Sequence, residues 1–225
     1  IITSFSTYAA EVFNFDVTEL EIIEEGNKFL GKNGGTATSG DGTVIKANNF
    51  EYDKLKNILI AIGDVEIDDK KENIVITSQK ITYFKNKEFI FSEGQSQAIS
   101  DGIIIDADNF EYNKITNTIN ANGDVKIKES INDYLILSKD ATYYKNLEKI
   151  ITNGETEAFI QSKYIINSKD VTYLHNDKIL SSKQKTKILI SYLKEIWINQ
   201  LWKSNGNIII ILMKNIEIAT YKKQT

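Results

Sequence analysis

Residues 41–67 read DGTVIKANNFEYDKLKNILIAIGDVEI, and residues 101–127 read DGIIIDADNFEYNKITNTINANGDVKI. Fifteen of these 27 positions are identical, which identifies an internal duplication with a 60-residue step. The flanking halves match more loosely. VITSQKITYFKNKEFIFSEGQSQAI from Val75 aligns with LILSKDATYYKNLEKIITNGETEAF from Leu135, and a partial copy, IINSKDVTYLHNDKIL, starts at Ile165. A shorter beat runs inside the long one. Tyr52, Tyr83, Tyr112, Tyr143 and Tyr173 are spaced by 31, 29, 31 and 30 residues, and Gly63, Gly94, Gly123 and Gly154 follow the first four at a constant offset of 11. A period near 30 marks a stacked array in which each unit covers its neighbour.

Each unit reads as strand, turn, strand. Val44 to Tyr52 is rich in β-formers, 53–57 is a polar turn, and Ile58 to Ile67 is the return strand; the second copy repeats this with its turn at 113–117. The apolar beat changes parity at Asn48-Asn49 and again at Asp108-Asn109, as a β-bulge or bend would cause. The expected fold is therefore all-β, a solenoid-like or rolled architecture of stacked units about 30 residues long.

Comparison of the two return strands separates their faces. Leu59, Ala61, Gly63, Val65 and Ile67 correspond to Ile119, Ala121, Gly123, Val125 and Ile127, so this face is apolar in both copies and is expected to point inward. Ile45 and Ala47, with their counterparts Ile105 and Ala107, extend the stripe on the outgoing strands. On the opposite face Ile58, Ile60 and Ile62 become Thr118, Asn120 and Asn122. Copy two thus has a wet outer face, whereas copy one requires a cover.

Composition narrows the function classes. The 225 residues carry a net charge of −4, which argues against a nucleic-acid partner, since phosphate binding needs a basic face. Every basic residue except one histidine is lysine, so Arg forks are absent; cysteine and proline are absent too, leaving Gly, Asn and Asp to make the turns. No stretch reaches the roughly 18 to 20 apolar residues of a spanning helix. At the start, Ile1-Ile2-Thr3-Ser4-Phe5 and then Thr7-Tyr8-Ala9-Ala10 precede the first charge at Glu11. Residues 1–10 are read as the tail of a secretory signal with cleavage near Ala9 or Ala10.

Catalytic chemistry finds little support. His175 aligns with Lys85 and Lys145, and a position that accepts lysine twice reads as a solvated turn rather than a metal or catalytic site. Asp64 and Asp124 recur in Gly-Asp-Val steps and read as bulge residues; Asp41 and Asp101 sit in Asp-Gly pairs that favour tight hairpins. The glycines from Gly31 to Gly42 lack the Gly-Lys-Ser/Thr of a phosphate cradle. The periodic tyrosines read as core or rim packing. No catalytic residue, metal or cofactor is expected.

After about Lys187 the beat stops. From Lys183 to Thr225 there are eight Lys against two acidic residues. Leu189, Leu193, Ile196, Trp197 and Leu201 fall at helical spacing, and Ile208 to Met213 is an apolar run of strand character. Residues 188–225 are read as a cap, an amphipathic tail or off-family sequence, following a repeat domain over 11–187.

Two sets of residues carry a family resemblance. Phe13-Asn14-Phe15-Asp16-Val17-Thr18-Glu19-Leu20-Glu21-Ile22, Glu25-Gly26-Asn27 and Gly34-Gly35-Thr36-Ala37 resemble the opening of the N-terminal domain of LptD. The recurring I-x-A-x-x-F-x-Y…N-x-x-x-A-x-G-D-V-x-I is similar to the OstA-like repeat shared with LptA. The resemblance covers roughly Phe13 to Lys187. It implies an antiparallel rolled sheet, the OstA-like β-jellyroll or β-taco, in the periplasm, with outer-membrane association a further expectation. It also implies a non-enzymatic transport function, with lipopolysaccharide as one partner and other OstA-like or Lpt components joined by sheet-edge pairing. The inward stripe of Ile45, Ala47, Leu59, Ala61, Val65, Ile67, Ile105, Ala107, Ile119, Ala121, Val125 and Ile127 then becomes the expected lipid path. Its alanines are expected to leave space there. The atypical tail leaves open whether the chain is part of an assembly protein or a stand-alone bridge. Two other classes compete: a structural or adhesive β-solenoid, which needs a filled interior, and a carbohydrate-active β-helix, which needs clustered acids on one face.

Overall fold

The computed structural model describes residues 13–129, 133–161, 164–182, 184–190, 193–196 and 208–211. The expected signal remnant at 1–10, and Trp197 and Leu201, lie outside the described residues. Seventeen strands join in one sheet. The first are β1 (Phe13–Ile23), β2 (Lys28–Ser39), β3 (Val44–Ala47), β4 (Asn49–Asp53) and β5 (Ile58–Asp69). Six long strands follow: β6 (Ile74–Phe84), β7 (Phe89–Ser100), β8 (Ile103–Asn113), β9 (Thr118–Glu129), β10 (Tyr134–Tyr144) and β11 (Lys149–Ile160). Then come β12 (Tyr164–Lys169), β13 (Thr172–Leu174), β14 (Ile179–Ser182), β15 (Lys187–Ile190), β16 (Leu193–Ile196) and β17 (Ile208–Ile211).

Pairing is an antiparallel meander, each long strand bonding to its neighbours in the chain. The register slips once near the middle of almost every pair, between Ile62 and Val65, Thr77 and Lys80, Glu93 and Ser96, and Asp106 and Asn109. The sequence parity switch at Asp108-Asn109 falls at such a slip, and that at Asn48-Asn49 falls at the break between β3 and β4. The cause lies on alternate strands. Gly63-Asp64 adopts φ +82° and +47°, and Gly123-Asp124 adopts +78° and +45°. A pair of left-handed residues inside a strand inserts one unpaired position and turns the chain sharply, and only glycine takes the first position without steric cost. The periodic glycines thus mark a crease along which the whole sheet folds into two leaves.

A distance argument demands that crease. An 11- or 12-residue strand spans about 36 Å when straight. Yet Lys114, in the turn after β8, has its Nζ 2.9 Å from Asp41 and 2.8 Å from Asp69, which belong to turns at the other ends of the strands. Opposite ends of the strands meet only if the sheet closes on itself.

Past β11 the two leaves continue as separate short strands: β12 and β15 on one, β13 and β14 on the other. Leu189, Leu193 and Ile196, expected to follow a helical spacing, instead lie in β15 and β16. The run Lys187-Ile188-Leu189-Ile190, rich in β-formers, gains ladder hydrogen bonds beside an open sheet edge that a lone helix does not, and pairing with Tyr164–Asn167 overrides the helical spacing. Ile208–Ile211 forms the strand expected for that run.

Candidate functional site

The interior between the leaves is one continuous apolar core. Ile45, Leu59, Ala61 and Ile67 are fully shielded, and Ala47, Val65, Ile105, Ala107, Ile119, Ala121, Val125 and Ile127 are each at most 8% exposed. All twelve face inward, across both copies. Their burial leaves no open groove at these positions. The alanines are buried beside large neighbours: Ala61 lies across from Phe50 and Ile81, and Ala121 across from Phe110, all of them buried too. Large side chains fill the wide end: Tyr52, Tyr83, Tyr112, Tyr143 and Tyr173 are all buried near the turns. Phe13 stacks edge-on to Tyr52 and Tyr83, with ring centroids at 5.1 and 5.7 Å. Three of the tyrosine hydroxyls point to the mouth and donate five residues onward, Tyr52 to Asn57, Tyr83 to Glu88 and Tyr112 to Asn117.

The mouth of the wedge has two rims, each a row of turns. One rim carries Asp41, Asp69, Asp101 and Glu129; the other carries Lys85, Lys114, Lys145 and His175, each two residues past a periodic tyrosine. Backbone geometry fixes the basic row. The N–H groups of Lys85, Lys114, Lys145 and His175 donate to the carbonyls of Asn57, Glu88, Asn117 and Glu148 in the preceding turn. From there the side chains reach across. Lys85 lies 3.4 Å from Asp41, Lys114 bridges Asp41 and Asp69, Lys145 lies 3.1 Å from Asp101, and His175 Nδ1 lies 3.6 Å from Glu129. Asn117 adds a hydrogen bond to Glu72. Among the described residues the links across the mouth are side-chain pairs, not sheet hydrogen bonds.

These contacts correct the reading of His175 and its lysine counterparts as a solvated turn. Their side chains are 15% exposed or less, because each projects over the core toward a carboxylate. Burial works to raise Asp41, but hydrogen bonds from Lys114 and Ser39 and the charges of Lys114 and Lys85 hold its carboxyl well below the usual range. Burial likewise works to raise Asp101, and Lys145 and Asn73 hold it down. Burial alone would lower Lys114, yet Asp41 and Asp69 together raise it. Asp41 and Asp101 therefore do more than shape hairpins.

Asp64 and Asp124 sit in the crease bulges, with Asp64 exposed and accepting from Asn48. On the outer face Ile62 remains 46% exposed, flanked by Asn49 and Lys80 on adjacent strands. Among the described residues no group of three or more His, Asp or Glu side chains is placed to hold a metal ion. The first strand, β1, pairs with β2 on one side. Among the described residues β1 has no second partner strand, and its Leu20 and Ile22 are exposed.

The family described as "LptA/(LptD N-terminal domain) LPS transport protein" matches residues 44–178. Among solved structures the chain is similar to LptH from Pseudomonas aeruginosa, described as the LptA-homologous periplasmic component of a lipopolysaccharide transport device. The likeness has a TM-score of 0.43 and 16% identity, covering 49% of this chain and 81% of that one. No curated protein matches the chain.

Proposed function

The chain belongs to the LptA/LptD N-terminal-domain family of lipopolysaccharide-transport proteins, and from that premise we propose that its roll carries lipid acyl chains between its two leaves through the periplasm, toward the outer membrane. The observation that supports this reading is the unbroken inward stripe from Ile45 to Ile127, closed at the mouth by side chains alone. Cargo enters when the leaves part, and each methylene buried contributes roughly 0.8 kcal/mol, so chains are held without charged contacts to the tail. The edge of β1 pairs with the sheet of a related domain, extending one roll into the next. The chemistry asked of the chain is shielding and transfer, not bond-making.

Photo-crosslinking tests the lipid path. Crosslinkers at Leu59 and Ile119, both buried in the stripe, are expected to label lipopolysaccharide, while one at exposed Asp64 is not. Equal labelling at all three sites refutes the assignment of the stripe.

One observation favours a second reading. The filled interior is what a structural or adhesive β-roll without cargo requires. That reading expects no labelling at Leu59 or Ile119 and an interior that stays shut when lipid is added.

A further inference from the structure

The charges at the mouth are sorted by rim, and that sorting has a use beyond closure. Lys85, Lys114 and Lys145 all belong to one row of turns, and their partners Asp41, Asp69 and Asp101 all belong to the other. When the leaves part, every rung breaks in the same sense: one rim becomes cationic and the other acidic. Lys114 and Lys145 are shielded in the closed roll, at 7% and 15% side-chain exposure, and opening takes away their counter-charge and admits water, which leaves two cations at the mouth with no anionic partner of their own. Lys85 differs, since Glu88 on its own rim remains 2.5 Å away.

Resting on the lipid reading above, we infer that Lys85, Lys114 and Lys145 exchange their rim carboxylates for the anionic headgroup of the cargo, forming its headgroup seat. An amphiphile with its chains between the leaves must leave its head at the mouth, because the crease is sealed by paired strands. The three lysines stand there in a row, fixed by backbone hydrogen bonds from turn to turn. A phosphate or carboxylate head restores the charge-assisted hydrogen bonds that opening removes; a neutral head does not. Closed and loaded states then both keep the lysines paired. Opening without an anionic cargo is disfavoured, so the latch also selects what the roll accepts.

The test compares dodecyl phosphate, dodecyl maltoside, dodecylphosphocholine and inorganic phosphate for binding to the full chain at low salt. Dodecyl phosphate is expected to bind about tenfold more tightly than the other two amphiphiles, the scale of one charge-assisted hydrogen bond. That preference is expected to vanish in the triple variant Lys85→Gln, Lys114→Gln, Lys145→Gln and to persist when outer-face Lys46, Lys126 and Lys128 are changed to Gln. Lys145→Gln alone, a milder change, is expected to reduce it in part. A strap across the mouth, Asp101→Cys and Lys145→Cys joined by a short bis-maleimide, is specific in a chain with no cysteine. It is expected to abolish binding of every amphiphile. Equal affinity for the three heads, or a preference that survives the lysine changes, overturns this inference and leaves the lipid reading standing. Inorganic phosphate binding as tightly as dodecyl phosphate overturns it by showing a free-anion site. If no amphiphile binds at all, the lipid reading falls and this one with it.

Discussion

Lys114 and Asp69 face each other at 2.8 Å across the mouth of the roll, with side chains 7% and 3% exposed, and Asp41 completes the contact from a turn 73 residues before the lysine. Deleting one member of such a buried pair strands the other. Lys114→Met is expected to lower unfolding stability by about 3–5 kcal/mol, whereas exposed Lys46→Met changes it by less than about 0.5 kcal/mol. Urea denaturation of both variants checks this. Pairing Lys114→Met with Asp69→Leu is expected to recover a good part of the loss, since Asp69 is then no longer a buried charge without its partner and Asp41 keeps Lys85.

The same rungs set a pH window. Asp41 and Asp101 are depressed by their lysines, so their contribution is complete above the ordinary carboxylate value of 3.8 and is lost as pH falls through the lower folded values. Lys114 is raised, so its contribution is complete below 10.5 and is lost as pH rises through its higher folded value. The Asp41, Asp101 and Lys114 rungs are therefore expected to add no slope to urea midpoints between about pH 5 and pH 9. The Lys114→Met variant is expected to show a shallower acid decline than the parent; an identical acid limb would contradict the role given to Asp41.

The crease is sensitive to a single methyl. At Gly123 an added Cβ would clash with the Asp108 side chain, its Cβ included at 2.9 Å, and φ is +78°. At Gly154 φ is +87° but nothing lies within 4 Å. Gly154→Ala is expected to cost about 1 kcal/mol from backbone strain alone, and Gly123→Ala about 3 kcal/mol. Thermal melts that rank them in the opposite order would show that the crease tolerates side chains.

Gly35 holds the first strand in place. A Cβ there would meet the backbone oxygen of Asp16 at 2.3 Å and Val17 Cα at 2.6 Å, atoms that cannot move aside without unpairing β1. Gly35→Ala is expected to detach β1 while the rest of the sheet survives. Hydrogen exchange would show this as lost protection over Phe13–Ile23 with Ile58–Ile127 unchanged.

Inward and outward residues separate in the first return hairpin. Leu59→Ala, in the fully shielded stripe, is expected to cost about 2–5 kcal/mol, and Leu55→Ala, 75% exposed at a turn tip, less than about 0.5 kcal/mol. Equilibrium denaturation of the two variants decides whether the core is packed as described.

Much of this was legible in the sequence because strand alternation is a local property. The parity switches at Asn48-Asn49 and Asp108-Asn109 located the bend, and the odd-numbered apolar residues of 59–67 located the inner face. What local pattern does not carry is which turns meet once the sheet closes. The basic position two residues after each tyrosine, at Lys85, Lys114, Lys145 and His175, has the same period as Gly63 and Gly123 and was open to view. It read as a solvated turn because its partners Asp41, Asp69, Asp101 and Glu129 lie at the far ends of the strands. The alanines misled for a related reason: alternation shows that Ala61 and Ala121 face inward, but not that Phe50 and Phe110 stand across from them on the next strand. At the end of the repeat, Leu189, Leu193 and Ile196 keep a helical spacing that an available sheet edge overrides.

The meander also dictates an order of events during folding. Each long strand bonds to the strand beside it in the chain, through turns of only a few residues, so the ladder can zip from any hairpin outward with little loop entropy to overcome. The rungs at the mouth join residues up to 73 positions apart and cannot form until several hairpins exist. Closure of the mouth therefore follows strand pairing. Until the mouth closes, the apolar inner face has only its own sheet to cover it, so the speed of creasing sets how long a folding chain is open to aggregation.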